Sequence, residues 1–137
     1  MKSFPPLLGV LALSALGVLA CEDTSSPVDP VWGKQACASC TMIVSEPRFA
    51  AQLATEEGTR LFFDDPGCMA AWVREHGGKA RRMWVRTGAG TWVDARTARF
   101  ARGQRSPMNF GFAALEGGDQ EWADVEAVAR ARGGEGR

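Results

Sequence analysis

The chain has 137 residues with 16 basic and 16 acidic side chains, so its formal net charge is zero. This balance argues against nucleic-acid binding and against a polybasic membrane patch, since both need an excess of Lys and Arg. Five Trp and seven Phe residues supply large apolar side chains, enough for one small core in a folded domain that we place at residues 31–132.

The N-terminal residues are typical of a bacterial lipoprotein export signal. Lys2 precedes an apolar run of thirteen residues, 7–19, which would form a helix of about 20 Å, too short for a hydrocarbon core of about 30 Å. Val18-Leu19-Ala20-Cys21 then resembles a lipobox, in which the cysteine is acylated. We predict a signal peptide over residues 1–20, lipidation at Cys21 and a location on the periplasmic side of a bacterial membrane. The alternative is an ordinary signal peptide cleaved nearby, with no role for Cys21.

The segments that flank the predicted domain have the composition of unstructured chain. Residues 21–30 are rich in Asp, Ser, Thr and Pro, which predicts a lipidated tether outside the core. Residues 133–137 are mostly glycine and are predicted to form a flexible tail.

The predicted elements follow an order typical of an α+β domain. Strands are expected at residues 49–55, 59–63 and 82–87, with a helix between the last two that starts at Asp64-Asp65-Pro66 and ends at His76. The second half repeats this order more weakly, with extended segments at 91–93, 98–101 and 109–115 and a helix over 119–132. We therefore predict two small ββα(β) units packed into one compact domain, the second unit being truncated because no strand follows its helix.

Sulfur-containing residues cluster in the segment Cys37-Ala38-Ser39-Cys40-Thr41-Met42. Thiolate and thioether donors favour Cu(I) over hard cations. Because the residues that follow Cys40 favour an extended chain, Cys40 and Met42 are expected to point to the same side and to bind one ion. The alternative is that Met42 packs in the core while Cys37 and Cys40 form a disulfide.

The number of cysteines gives independent support for a metal site. Three remain besides Cys21, namely Cys37, Cys40 and Cys68, and an odd number outside the cytoplasm leaves at least one thiol unpaired, metal-bound or intermolecular. Cys37 is either a further ligand or a disulfide partner of Cys40. A thiol–disulfide redox protein acting through these two cysteines is the alternative function, although redox CxxC motifs usually open a helix and β-favouring residues follow here.

Other candidate ligands lie further along the chain. Met108 stands beside Pro107, in a turn that is not typical of core packing, and is a candidate distant ligand. His76 is the only histidine, and it either caps the helix or binds the metal. Cys68 and Met69 are assigned to helix packing.

No catalytic signature is present in the sequence. The chain lacks a GxSxG motif, a P-loop and an HExxH motif, and Asp64-Asp65 is interpreted as a helix cap rather than as an acid–base pair. We therefore expect a protein that is not an enzyme.

These motifs together resemble the NosL family of copper-binding lipoproteins, which are associated with assembly of nitrous oxide reductase. The resemblance extends in order over nearly the whole mature domain and rests on the lipobox at Cys21, Cys40-Thr41-Met42 with Pro47-Arg48-Phe49-Ala50-Ala51-Gln52, Phe63-Asp64-Asp65-Pro66-Gly67-Cys68-Met69, Trp92-Val93-Asp94-Ala95 and Ser106-Pro107-Met108 with Gly111-Phe112-Ala113.

The resemblance implies two ββαβ-like units, Cu(I) binding and delivery to a periplasmic cuproenzyme, with an ABC-type maturation complex nearby. It also implies Cys40 and Met42 as copper ligands, with Met108 as an addition. This chain differs from the family pattern at Thr41, where the family carries Gly, and by the additional Cys37.

Overall fold

The computed structural model describes residue 1 and residues 22–134. The rest of the predicted signal peptide, the predicted lipidation site Cys21 and residues 135–137 of the predicted tail lie outside the described residues. Within the described residues, no helix has the length and apolar character needed to cross a bilayer.

Within the described residues, the fold is the predicted α+β domain, with six strands in two antiparallel sheets and two helices. In chain order, the elements are β1 (Ala51–Thr55), β2 (Arg60–Phe63), α1 (Pro66–Glu75), β3 (Ala80–Arg86), β4 (Trp92–Asp94), β5 (Phe100–Arg102), β6 (Phe112–Ala114) and α2 (Trp122–Gly134). The first sheet has the order β2-β1-β3-β4, and the second pairs β5 with β6.

Several boundaries differ from the prediction by one to three residues, and for two of them the structure shows a local reason. The first strand begins at Ala51 because a 3₁₀ turn over Pro47–Phe49 precedes it, and a proline, which lacks an N–H, suits a turn better than a strand. The last helix continues to Gly134, so the first two residues of the predicted tail are helical. The guanidinium of Arg74 in α1 supports this end of α2, because it donates to the carbonyl of Ala129 at 2.8 Å.

The helix that follows β2 forms as predicted from its local signals. The Asp65 carboxylate caps its N-terminus and accepts from the Gly67 N–H at 2.9 Å, with Pro66 at the first helical position. His76 is the C-cap, and Gly77 follows with φ of +65°.

The first sheet is covered on both faces, so all five residues of β1 are buried. One face carries the alternate apolar residues Leu53, Phe63, Met83 and Val85, which belong to the hydrophobic core. The other face carries polar and aromatic side chains, and residues near the N-terminus cover it.

Residues 22–30, which we call the N-terminal strap, lie against this second face instead of forming a free tether. The buried side chains of Gln52 and Arg60 hold it, with Gln52 donating to the Val28 carbonyl at 2.7 Å and Arg60 donating to the Ser26 carbonyl at 2.9 Å. Thr24 is 4% exposed. The polar composition of the segment therefore serves hydrogen bonding to the sheet as well as solvation.

Candidate metal centre

The segment that carries the first two cysteines of the domain is a short hairpin. The Cys37 N–H donates to the Met42 carbonyl at 2.8 Å, and the Val44 N–H donates to the Gln35 carbonyl at 2.8 Å. The chain reverses between these pairs, where the Thr41 N–H donates to the Cys37 carbonyl at 3.1 Å. We call residues 35–44 the cysteine hairpin.

The backbone at Thr41 differs from the extended conformation expected after Cys40. Its φ is +65°, because the chain turns back on itself here, and its hydroxyl donates to the Cys40 carbonyl at 2.6 Å. Cys40 and Met42 are therefore not alternate residues of one strand, and Met42 is 58% exposed. A left-handed backbone of this kind favours Gly, so a β-branched Thr is strained here.

The cysteine hairpin packs against the point where β2 leads into α1. The Ala38 N–H donates to the Phe62 carbonyl at 2.9 Å. Asp64 follows β2 directly, and Cys68 lies in the first turn of α1. This packing brings four ligand atoms within 4.8 Å of one another, and we call this group the thiol cluster: Cys37, Cys40, Asp64 and Cys68.

The members of the thiol cluster differ in exposure. Cys37, Asp64 and Cys68 are each 2% exposed, whereas Cys40 is half-buried. None of the three cysteines is in a disulfide within the described part of the chain. The cluster therefore meets solvent mainly through the Cys40 thiol.

Hydrogen bonds inside the cluster favour one thiolate. The Cys68 S–H donates to the Cys37 sulfur and lowers the pKa of Cys37 to about 6, with further help from the backbone N–H groups of Cys40, Asp64 and Ser39. The same hydrogen bond, together with burial, raises the pKa of Cys68. Burial raises the pKa of Cys40 to about 12. At neutral pH the cluster thus carries one thiolate, at Cys37, and two thiols.

Asp64 adds an oxygen donor to the three sulfur atoms. The Cys40 S–H donates to its Oδ1 at 3.3 Å. The two adjacent carboxylates have separate roles, since Asp65 caps α1 and Asp64 faces the sulfur atoms. The prediction that Asp64-Asp65 serves as a helix cap is therefore right for Asp65 and wrong for Asp64, which belongs to the thiol cluster.

Met108 lies in a loop fastened to the start of α1. Its backbone N–H donates to the Asp65 Oδ2 at 3.1 Å, and its carbonyl accepts from Arg132 at 2.7 Å. Its side chain is partly buried against the core. The Met108 loop and the thiol cluster are therefore both held by residues at the start of α1.

His76 stands at the other end of α1, as the C-cap. Its ring stacks on Trp72 with centroids 3.9 Å apart, and its Nδ1 lies 2.8 Å from the Trp72 carbonyl. Among the described residues, the close group of ligand atoms does not include His76. These contacts give it the packing and capping role that was one of its two predicted alternatives.

Cys68, like Asp64, belongs to the thiol cluster but was not predicted from the sequence to lie in the site. A buried helical cysteine is usually a packing residue, and nothing in the local pattern around Cys68 departs from that rule. The odd number of thiols was the one sequence signal that could have pointed to Cys68, because Cys68 is the third thiol of the domain after Cys37 and Cys40.

Comparison of the chain with protein-family models, with curated proteins and with solved structures found no match. The assignment of the thiol cluster as a group able to bind a metal ion therefore rests on its geometry and its donor atoms.

Proposed function

We propose that the protein is a Cu(I) chaperone, attached by lipid at Cys21 to the periplasmic side of a bacterial membrane. The observation that carries the proposal is the convergence of three sulfur atoms and one carboxylate oxygen within 4.8 Å. A metal-binding group of this kind suits transport of an ion, since no catalytic signature accompanies it in the sequence.

The donor set favours a soft monovalent ion. Thiolates select Cu(I) over hard cations, and three of the four donors are thiols. The thiolate at Cys37 supplies a negative charge before the ion arrives, and its donor Cys68 releases a proton when both sulfur atoms bind. Burial of both residues, each 2% exposed, keeps water away from the bound ion.

Release of the ion is proposed to start at Cys40. Ligand exchange needs an incoming donor close to the ion, and Cys40 is the thiol of the cluster that solvent reaches. A partner thiolate or thioether would replace Cys40 first and the buried sulfurs later. Met42 lies two residues after Cys40 and is 58% exposed, so its thioether would act as a neutral donor during exchange.

The resemblance to NosL supports nitrous oxide reductase as the client enzyme and an ABC-type maturation complex as a further partner. The left-handed backbone at Thr41 adds a physical argument for this resemblance, because the family residue at that position is Gly. We propose both partners on this basis.

Anaerobic titration of the reduced protein with Cu(I) in competition with a chromophoric chelator tests the proposal. We expect stoichiometric binding, with sulfur-dominated coordination in X-ray absorption. Met83→Leu is the matched control, because it removes a buried sulfur in β3 and leaves the thiol cluster intact. A reduced, folded protein that fails to compete for Cu(I) would refute the proposal.

The thiol–disulfide redox function remains the second candidate because of Cys37. A pKa of about 6 gives a thiolate at neutral pH, which a redox nucleophile needs. However, Cys37 is 2% exposed, and a protein disulfide cannot approach it without opening the hairpin. Metal-free turnover in an insulin-reduction assay that is abolished by Cys37→Ser would establish this function instead.

A further inference from the structure

The N-terminal strap begins at one end of the first sheet. The Arg60 guanidinium binds the Glu22 carboxylate at 3.1 Å and the carbonyls of Asp23 and Ser26 at 2.9 Å each. Arg81 donates to the Thr24 hydroxyl at 2.8 Å. The Arg60 side chain is 2% exposed, so it is committed to these contacts and to Gln52.

The strap ends at the opposite end of the same sheet. Gln52 exchanges two hydrogen bonds with the backbone of Val28, at 2.7 and 3.1 Å. The Asp29 carboxylate then accepts from the Trp92 indole at 2.8 Å and lies 3.3 Å from the Arg86 guanidinium. Side-chain partners thus hold the strap along its whole length.

The register of β1 and β2 shows which end of the N-terminal strap lies nearer to the thiol cluster. Arg60 pairs with Ala54 near the 55–59 turn, whereas Phe63 pairs with Ala51 at the other end. Asp64 follows Phe63, so the cluster lies four residues beyond Arg60, about 13 Å along the strand. The strap therefore starts at the end of the sheet far from the cluster.

The docked strap changes how far the domain can move from its attachment point. If the nine strap residues formed a free tether, the domain could lie about 30 Å from its anchor. If the strap is docked, the anchor is one residue away from it, and consecutive Cα atoms are about 3.8 Å apart. Because Glu22 is already held by Arg60, only the peptide from Cys21 to Glu22 separates an anchor at Cys21 from the surface of the domain.

We infer that the N-terminal strap orients the domain on the lipid bilayer, with the 55–59 turn toward the lipid headgroups and the thiol cluster directed away from them. The end that faces the headgroups carries exposed charges of both signs, which suits hydrated headgroups: Glu56, Glu57, Lys79, Arg81 and Arg82. The inference rests on the proposed anchor at Cys21 and not on Cu(I) binding. It leaves Cys40 open to a partner that approaches from the aqueous side.

Nuclear magnetic resonance of the lipidated mature protein, residues 21–137, in nanodiscs tests this orientation. The nanodiscs contain phosphatidylethanolamine and phosphatidylglycerol, with a small fraction of lipid that carries a gadolinium chelate on its headgroup. We expect loss of the amide signals of residues 56–59 and Lys79, and retention of those of residues 38–41 and 88–90. Equal loss in both groups, or stronger loss at residues 38–41, would overturn the orientation.

Two variants distinguish the contribution of the strap from that of the lipid anchor. A flexible insertion of about ten Gly and Ser residues between Cys21 and Glu22 leaves the domain intact but frees it, and it should equalise the two groups of signals. Cys21→Ser should abolish all signal loss. Wild-type protein that is exported and purified from membranes but carries no lipid on Cys21 would overturn the anchor, and lipidated protein with no signal loss at any residue would overturn the orientation. Unequal signal loss that persists after the insertion would overturn the role of the strap.

Discussion

Replacement of Cys68 by Ser is the sharpest test of the thiol cluster, because the residue is buried and its sulfur has two separable roles. It is one of the three sulfur atoms that we propose as ligands, and its S–H donates to the Cys37 sulfur. Serine retains a hydrogen-bond donor of similar size at this buried position, which is 2% exposed. Its oxygen is a hard donor, which Cu(I) disfavours. Cys68→Ala removes both roles.

The expected magnitude follows from the ligand count. Structural four-ligand sites bind Zn²⁺ with about 10–16 kcal/mol, which is about 3 kcal/mol per ligand. Loss of one sulfur from the three in the cluster should therefore weaken Cu(I) binding by about 100-fold, since each 1.4 kcal/mol is about tenfold. Cys68→Ala should weaken it further, because the Cys37 thiolate also loses its donor.

Chelator competition under anaerobic conditions measures this change, with X-ray absorption reporting one sulfur fewer. Met83→Leu is the control for general loss of buried sulfur and should leave the affinity unchanged. An affinity of the folded Cys68→Ser protein within a few-fold of the wild type would show that Cys68 only packs, and that the ligands lie elsewhere.

Four further predictions concern single residues. Asp64→Asn should leave Cu(I) affinity nearly unchanged, because a carboxylate is a hard donor, while Zn²⁺ affinity falls about 100-fold through loss of one ligand; equal losses in parallel titrations would contradict this. The metal-free protein should gain one thiolate as the pH rises through about 6, the pKa of Cys37, seen as ultraviolet thiolate absorbance that Cys37→Ser abolishes; a step near the ordinary thiol pKa would refute it. Thr41→Gly should raise the free energy of unfolding by about 1 kcal/mol, or about 4–8 °C in Tm, because φ of +65° strains a β-branched residue; a lower Tm by calorimetry would count against strain. Arg60→Met should speed hydrogen exchange at the Val28 amide at least about tenfold, since charge-assisted hydrogen bonds contribute about 1.5–3 kcal/mol each; unchanged exchange would mean that Gln52 alone holds the strap.

The elements with local signals were predictable from the sequence. The helix α1 starts with an Asp65 cap and Pro66 and ends before Gly77-Gly78, and each of these signals acts on neighbouring residues. The order of strands and helices follows from hydrophobic period in the same way, so the α+β class was predicted.

The strap illustrates what composition does not reveal. Asp, Ser, Thr and Pro predict a solvated segment, and this prediction considers only the segment itself. Whether it docks depends on partners such as Gln52 and Arg60, which lie 24 and 34 or more residues away along the chain. A hydrogen bond over that separation has no counterpart in local propensity.

The sequence by itself determined the kinds of donor atom, the odd number of thiols and the local elements that carry them. Only the tertiary structure decided that Cys68 and Asp64, and not an extended Cys40–Met42 pair, complete the cluster. The physical reason is that Thr41 reverses the hairpin and a backbone hydrogen bond from Ala38 to Phe62 places it against the start of α1. Contacts between segments so far apart along the chain arise from packing of the whole domain.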